Sequence, residues 1–290
     1  YKKIYKKLVF SIYKDNIFVA DNIGFIYSIN LYDGKMLWIR NYEAGMKSNI
    51  KVYEDKIFLI NEDNKILCLN TKDGSLIWNI FSIESFIKSE NLLSLALTND
   101  GNLLAITSSA DVYKIRGSTG DIIWSRNTAD SLYADATDFF TSSEIVIDDD
   151  KVIFSSGNNT FLLKTGNGET LWQQGVSSVA TPIVSGKNIF IVSDNGYFVI
   201  IEKDTGEIIS STNILKILKR KKQKTKITGF IMGSNKIYSI TLNGFLISSS
   251  ATSGKAEFYK KIGGSNISPL VISNGKLYIL TDKSKILVLN

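Results

Sequence analysis

Four short stretches constrain this chain more than anything else in it. They are "YDGKMLWIR" at 32–40, "KDGSLIWNI" at 72–80, "STGDIIWSR" at 118–126 and "GNGETLWQQ" at 166–174. Each places a Trp four residues after a Gly, and together they use all four tryptophans of the 290 residues. Two weaker copies, "DTGEIIS" with Gly206 and "TSGKAEF" with Gly254, carry Ser210 and Phe258 where Trp would stand. From Gly34 to Gly254 the glycines are spaced by 40, 46, 48, 38 and 48 residues. A period of this size is the mark of a repeat architecture, and it governs every later reading.

A second signature precedes each box: a polar residue, then aliphatic and aromatic residues in a short apolar run. It occurs as "NIFVA" at 16–20, "KIFLI" at 56–60, "NLLAI" at 102–106 and "KVIFS" at 151–155. "NIFIV" at 188–192, "KIYSI" at 236–240 and "KLYIL" at 276–280 complete a set of seven, about 43 residues apart. In the second copy "SNIKVYE", "KIFLINE", "KILCLNT" and "SLIWNIF" read as four strands separated by turn residues. Short strands repeating at this period mean propeller blades. The expected fold is therefore all-β: a β-propeller of four-stranded antiparallel blades, with residues 1–290 as one domain and seven repeat units visible.

The box has a local explanation. Asp-Gly and Thr-Gly supply a residue that takes positive φ in a tight turn without a steric penalty. Trp brings a large apolar ring whose N–H still needs an acceptor, which suits the seam between neighbouring blades. Gly34, Trp38, Gly74, Trp78, Gly120, Trp124, Gly168 and Trp172 are thus read as structural. The seventh copy stops at "KILVLN" without a fourth strand. Residues 2–8, "KKIYKKL", resemble "EFYKKIG" at 257–263 in the outer strand of copy six. The expectation is that this N-terminal strand completes the last blade and closes the ring, removing an open edge. The alternative is part of an eight-bladed ring.

Composition matters at three points. Histidine is absent, which removes the commonest general base and metal ligand. The single cysteine, Cys68 in "KILCLN", reads as an inert thiol in a buried strand and cannot form an internal disulfide. The net charge of +6 is local in origin: Lys216, Lys219, Arg220, Lys221, Lys222, Lys224 and Lys226 crowd into "LKILKRKKQKTK" at 215–226. No apolar run is long enough for a membrane helix. The chain begins at Tyr1 without an initiator Met or a signal peptide, so a processed or trimmed chain is expected.

Units such as "NIFVADNIGFIYSINLYDGKMLW" and "KIFLINEDNKILCLNTKDGSLIW" resemble the quinoprotein-type, PQQ-like propeller repeat. The stretch "GNGETLWQQGVSSVATPIVSGKNIFIVSDNGYFVIIEKDTGEI" at 166–208, followed by a charged insertion and "ITGFIMGSNKIYSITLNG", is similar to the BamB family in its alphaproteobacterial form. These are lipoproteins of the outer-membrane β-barrel assembly machinery. The resemblance spans essentially the whole chain and implies eight blades, one more than the repeats counted here. It also implies a non-enzymatic scaffold without a cofactor or metal, lipid-anchored through an upstream cysteine on the periplasmic side of the outer membrane. The implied partners are a periplasmic polypeptide-transport-associated (POTRA) domain of BamA, other assembly components and unfolded outer-membrane proteins. Two rim loops carry that contact in the family. "SFIKSE" matches the first, with Ile87 at the aliphatic position, Lys88 at the basic one and Phe86 beside them. "ADATDFF" matches the second through Asp135 and Asp138, with a different spacing to the next strand.

Rival readings attach to the same residues. Phe86 and Ile87 pack equally well under an inter-blade loop, and Asp135 and Asp138 serve equally well as turn caps. A PQQ-dependent dehydrogenase shares the repeat, but the resemblance then implies a larger chain, calcium and an adjacent Cys–Cys disulfide that one cysteine cannot make. Asp148–Asp150 in "IDDDK" fall between two strands, where Asp is a favoured turn residue. The basic stretch, with Lys216, Lys219, Arg220, Lys221 and Lys222, suits an anionic surface on a generic propeller adaptor, or is a solvated loop. It has no interleaved aromatics to stack single-stranded nucleic acid, and no nucleic acid is expected.

Overall fold

The computed structural model describes residues 7–82, 92–129, 140–219, 224–263, 270–281 and 285–289. Within them the chain runs through seven antiparallel sheets, one after another in sequence order. The first sheet is β1 (Leu8–Tyr13), β2 (Asn16–Asp21), β3 (Phe25–Asn30) and β4 (Met36–Asn41). The second is β5 (Lys51–Tyr53), β6 (Lys56–Ile60), β7 (Lys65–Asn70) and β8 (Leu76–Phe81). The third is β9 (Leu95–Leu97), β10 (Leu103–Ile106), β11 (Asp111–Ile115) and β12 (Ile122–Asn127). The fourth is β13 (Val146–Asp148), β14 (Lys151–Ser156), β15 (Asn159–Lys164) and β16 (Thr170–Gln174). The fifth is β17 (Ile183–Ser185), β18 (Asn188–Val192), β19 (Tyr197–Glu202) and β20 (Ile208–Asn213). The sixth is β21 (Ile227–Gly233), β22 (Lys236–Thr241), β23 (Phe245–Ser250) and β24 (Ala256–Lys261). The seventh has three strands among the described residues: β25 (Val271–Ser273), β26 (Lys276–Leu280) and β27 (Ile286–Leu289). The seven repeats of the sequence are these seven sheets.

Residues 1–6, most of the strand expected to close the ring, lie outside the described residues. The segment's last residue, Leu8, opens β1 and pairs with Asp21 in the first sheet. By internal contacts the chain divides into two compact units, residues 1–150 with 164–169 and residues 151–163 with 170–290.

Burial follows strand position within a sheet. Ile57–Ile60 of β6, Ile66–Leu69 of β7 and Leu103–Ile106 of β10 are buried at every residue. They are covered on both faces, which is why they read as unbroken apolar runs rather than alternating ones. In the first unit Phe18, Ala20 and Ile26 of the first sheet pack on Ile57, Leu59, Leu67 and Leu69 of the second. Phe58, Ile60, Ile66 and Cys68 on the second sheet's other face meet Leu103, Ala105 and Ile115 of the third. In the second unit Phe190, Val192, Phe198 and Ile200 of the fifth sheet pack on Ile237, Phe245 and Ile247 of the sixth. Fourth strands are exposed instead: Met36, Leu37 and Ile39 of β4 are each more than 40% exposed, and Trp38 alone turns inward.

Turn chemistry fixes the hairpins. Six first-to-second-strand loops are two residues long, and the first loop residue has positive φ in each: Lys14, Glu54, Asp149, Gly186, Ser234 and Asn274. Asp149, the centre of "IDDDK", and Asp150 form the turn, and Asp148 ends β13. At the next turn a side-chain oxygen on one residue accepts the N–H four positions on. Asp21 does so from Phe25, Asn61 from Lys65, Ser193 from Tyr197 and Thr241 from Phe245. Between third and fourth strands the register slips once in every four-stranded sheet with a resolved pairing, as at Ser28/Ile29 and Cys68/Leu69. The Gly of the box follows, in the left-handed region at φ 69–84 for Gly34, Gly74, Gly120 and Gly168.

Each Trp is spent on the next sheet. The Nε1–H of Trp38 donates to the Thr71 carbonyl at 2.9 Å, Trp78 to Gly117 at 3.0 Å, Trp124 to Thr165 at 3.0 Å and Trp172 to Lys203 at 2.8 Å. The Gly of that next turn lies flat on the indole. A Cβ on Gly74 would stand 2.7 Å from Trp38, and one on Gly206 would stand 2.6 Å from Trp172. Gly and Trp of one box therefore act in two different joints: the Gly receives the preceding indole, and the Trp reaches forward. Two residues beyond the Trp a second donor reinforces the joint. Arg40 Nε donates to the Asp73 carbonyl, Arg126 Nε to that of Gly168 and Gln174 Nε2 to that of Gly206. In the sequence the only trace of this donor is Trp-x-Arg/Gln, which stands in three of the four boxes.

Candidate partner-binding rim

The connections from a fourth strand to the next sheet, and the turns between second and third strands, emerge at the same ends of their sheets. In the first unit one such turn, Thr107–Ala110 between β10 and β11, organises the surroundings. Ser82, where the chain leaves β8, sets its hydroxyl 3.4 Å from Thr107 Oγ1, 3.5 Å from Ser109 Oγ and 3.3 Å from the Tyr113 hydroxyl. Thr128, where it leaves β12, donates both its N–H and its hydroxyl to the Ala110 carbonyl, at 2.9 and 2.8 Å. Ser82 and Thr128, at their strands' exits, thus both bond to a single hairpin turn and its flank. The returning ends of the two connections are tied as well: Ile145 N–H donates to Ser94 Oγ at 2.7 Å.

The turn itself is rigidly held. Asn64, 2% exposed and in the left-handed region at φ 59, donates to Ser108 Oγ at 2.7 Å. Its Oδ1 accepts the Ser108 N–H at 3.0 Å. Asp111, 7% exposed, accepts the Ser109 hydroxyl at 2.6 Å and the Asn127 amide at 2.7 Å. Satisfied buried polar networks of this kind fix one geometry, because any broken member would be left unpaired in a medium of low dielectric. Burial pushes the Tyr113 phenol up, so it stays a neutral hydrogen-bonding group. Leu92, on the returning side of the first connection, is 45% exposed.

Phe86, Ile87, Lys88, Asp135 and Asp138 themselves lie outside the described residues. What the structure brings together are the stems that carry them. Of the basic stretch, Lys216 and Lys219 are exposed, and Arg220, Lys221 and Lys222 lie outside the described residues. "ILKI" forms a single 3-10 turn, Ile214–Ile217.

The chemistry-bearing groups sit apart from one another. Cys68 is fully buried in β7, and burial pushes its thiol up to about 12. Burial raises the Asp194 carboxyl, an effect partly offset by the Val179 N–H and the charge of Lys226. Among the described residues no three His, Cys, Asp or Glu side chains come close enough together to hold a metal ion. No described helix is long and apolar enough to cross a membrane. Between the sixth and seventh sheets a cleft of about 400 Å³ is lined by Tyr238, Phe258, Lys260, Ile272 and Leu277 among others. Phe258 occupies the position of the box Trp and is 56% exposed.

Residues 8–212 match the profile of the family described as "Outer membrane protein assembly factor BamB". The chain belongs to the BamB family. Among solved structures, BamB from Moraxella catarrhalis superposes with a TM-score of 0.81 at 15% identity, over 94% of this chain and 81% of that one. A europium-containing methanol dehydrogenase gives 0.72 at 10% identity, over 93% and 72% of the two chains. The computationally designed Ika8 protein gives 0.59 at 10%, over 97% and 94%. At these identities the likeness is one of fold: the β-propeller of the BamB family, which an enzyme and a designed protein share. No curated protein sequence matches the chain.

Proposed function

We propose that this member of the BamB family is a non-enzymatic scaffold of the outer-membrane β-barrel assembly machinery. It docks a periplasmic POTRA domain of BamA through the rim segments 83–91 and 130–139 and aids insertion of outer-membrane proteins. In this reading it works at the periplasmic side of the outer membrane, with a lipid anchor in the full-length protein, which its membership of the BamB family supports. The observation that carries the contact surface is the pair of stems at Ser82 and Thr128 on either side of Thr107–Ala110. The segments that follow these stems carry an apolar pair, Phe86 and Ile87, and the charges of Lys88, Asp135 and Asp138, which in this reading meet the same partner. Interfaces draw most of their affinity from such a desolvated anchor with oriented charge around it.

The test is direct binding of the chain to the purified periplasmic domains of BamA. Lys88→Glu should weaken binding by about tenfold or more, since a reversed charge meets the group that Lys88 faced. A variant that binds as tightly as the parent would remove this rim from the interface.

A further inference from the structure

The basic stretch 215–226 is absorbed neither by the fold nor by the proposed rim, and the structure shows how it is mounted. Its first residues are pinned. Asn213 Oδ1 accepts the Leu215 N–H at 3.0 Å, the Ile214 N–H donates to the Gly196 carbonyl at 2.8 Å, and the Leu218 N–H closes onto the Leu215 carbonyl at 3.0 Å. Ile214, Leu215 and Leu218 are 0%, 5% and 2% exposed, within the core shared by the fifth and sixth sheets. Leu215 lies so close on Gly196 that a Cβ there would stand 2.4 Å from its Cγ. The far end returns to the same place: the Ile227 N–H donates to the Asp194 carbonyl at 2.9 Å. Both ends are therefore clasped to one turn, Asp194–Gly196, between β18 and β19. The positive charge of Lys226, at the far end, acts on the Asp194 carboxyl at this base.

We propose that Lys216, Lys219 and Lys224, presented on this clasp, are a contact for an anionic phospholipid surface. All three are exposed. The apolar residues of the mount are turned inward, and Ile217 too packs against the same core. A protein partner of ordinary affinity needs a desolvated apolar anchor, which these residues do not offer. A plane of many identical negative head groups needs none, because each nearby Lys adds its own attraction. The inference stands apart from the barrel-assembly reading, since it uses a different turn in the other compact unit.

Vesicle co-sedimentation of the whole chain tests it. Phosphatidylcholine vesicles containing about a quarter phosphatidylglycerol should bind the chain at low salt, and pure phosphatidylcholine should not. Binding should fade as the ionic strength approaches about 0.5 M, where screening falls to a few ångströms. Lys216→Gln, Lys219→Gln and Lys224→Gln together should lower the partition coefficient on the order of a hundredfold, about fivefold for each charge. The same three changes at Lys35, Lys72 and Lys187, which lie in turns elsewhere, should change it little. Thermal melts distinguish lost contact from lost folding. Equal binding to neutral vesicles, salt-insensitive binding, or an equal loss in the control variant would overturn the proposal. So would a triple variant that still binds vesicles but no longer binds BamA's periplasmic domains, which would make these lysines a protein contact.

Discussion

Gly120 and Gly34 occupy the same position of the box and face different surroundings. Both have positive φ, +84° and +69°. A Cβ on Gly120 would stand 2.9 Å from the Trp78 indole, whereas one on Gly34 would meet nothing within 4 Å. Gly34→Ala should therefore cost only the backbone term, about 1–2 kcal/mol. Gly120→Ala adds displacement of a packed indole, for a total of about 3–4 kcal/mol. Denaturant titration of the two variants checks this. Equal losses would mean that the joint is not glycine-limited. The requirement for positive φ is legible in the sequence because it depends on neighbours along the chain. The contact with the preceding Trp is not, since it depends on a residue about 40 positions away that only packing brings near. Arg40, Arg126 and Gln174 were missed for the same reason: an exposed polar residue two places past a Trp looks solvated until the carbonyl it serves is in view.

Elements obey local rules almost everywhere, and where one is strained the strain can be relieved. Six hairpin loops require positive φ at their first residue, yet Lys14, Glu54 and Ser234 fill three of them. Such residues bear a penalty in the left-handed region that Asn largely escapes. Glu54→Asn should raise stability by about 0.5–1 kcal/mol, and Asn274→Glu should lower it by a similar amount. Urea midpoints at unchanged slope are the measurement, and a Glu54→Asn midpoint at or below the parent's would refute it. Strand runs, turn glycines and the turn at Asp149–Asp150 were all readable beforehand, because period and turn chemistry are short-range. The polar residues capping the β2–β3 type of turn, such as Asn61 and Thr241, were equally local but went unread. Their signal is an oxygen-bearing residue four places ahead of the third strand's first residue.

For the whole molecule, the shared fold of a methanol dehydrogenase makes cofactor binding the reading to set against a scaffold. Pyrroloquinoline quinone with calcium should leave the melting temperature within about 1 °C, because a ligand specific for the native state at 100 times its Kd adds about 2.7 kcal/mol. In a chain of this size that is about 5 °C or more, so a shift of that size would move the chain to the dehydrogenase class. Seven repeats, seven sheets and the family they belong to were determined by the sequence, since a period of about 43 residues repeats the same local instructions. That Ser82 and Thr128 both bond to one turn and its flank, that both ends of a lysine run are clasped at Asp194–Gly196, and that each glycine must stay bare beneath a neighbour's indole were decided only by tertiary structure. Those outcomes depend on which surfaces are covered, and coverage is set by sheets stacking face to face rather than by any run of neighbouring residues.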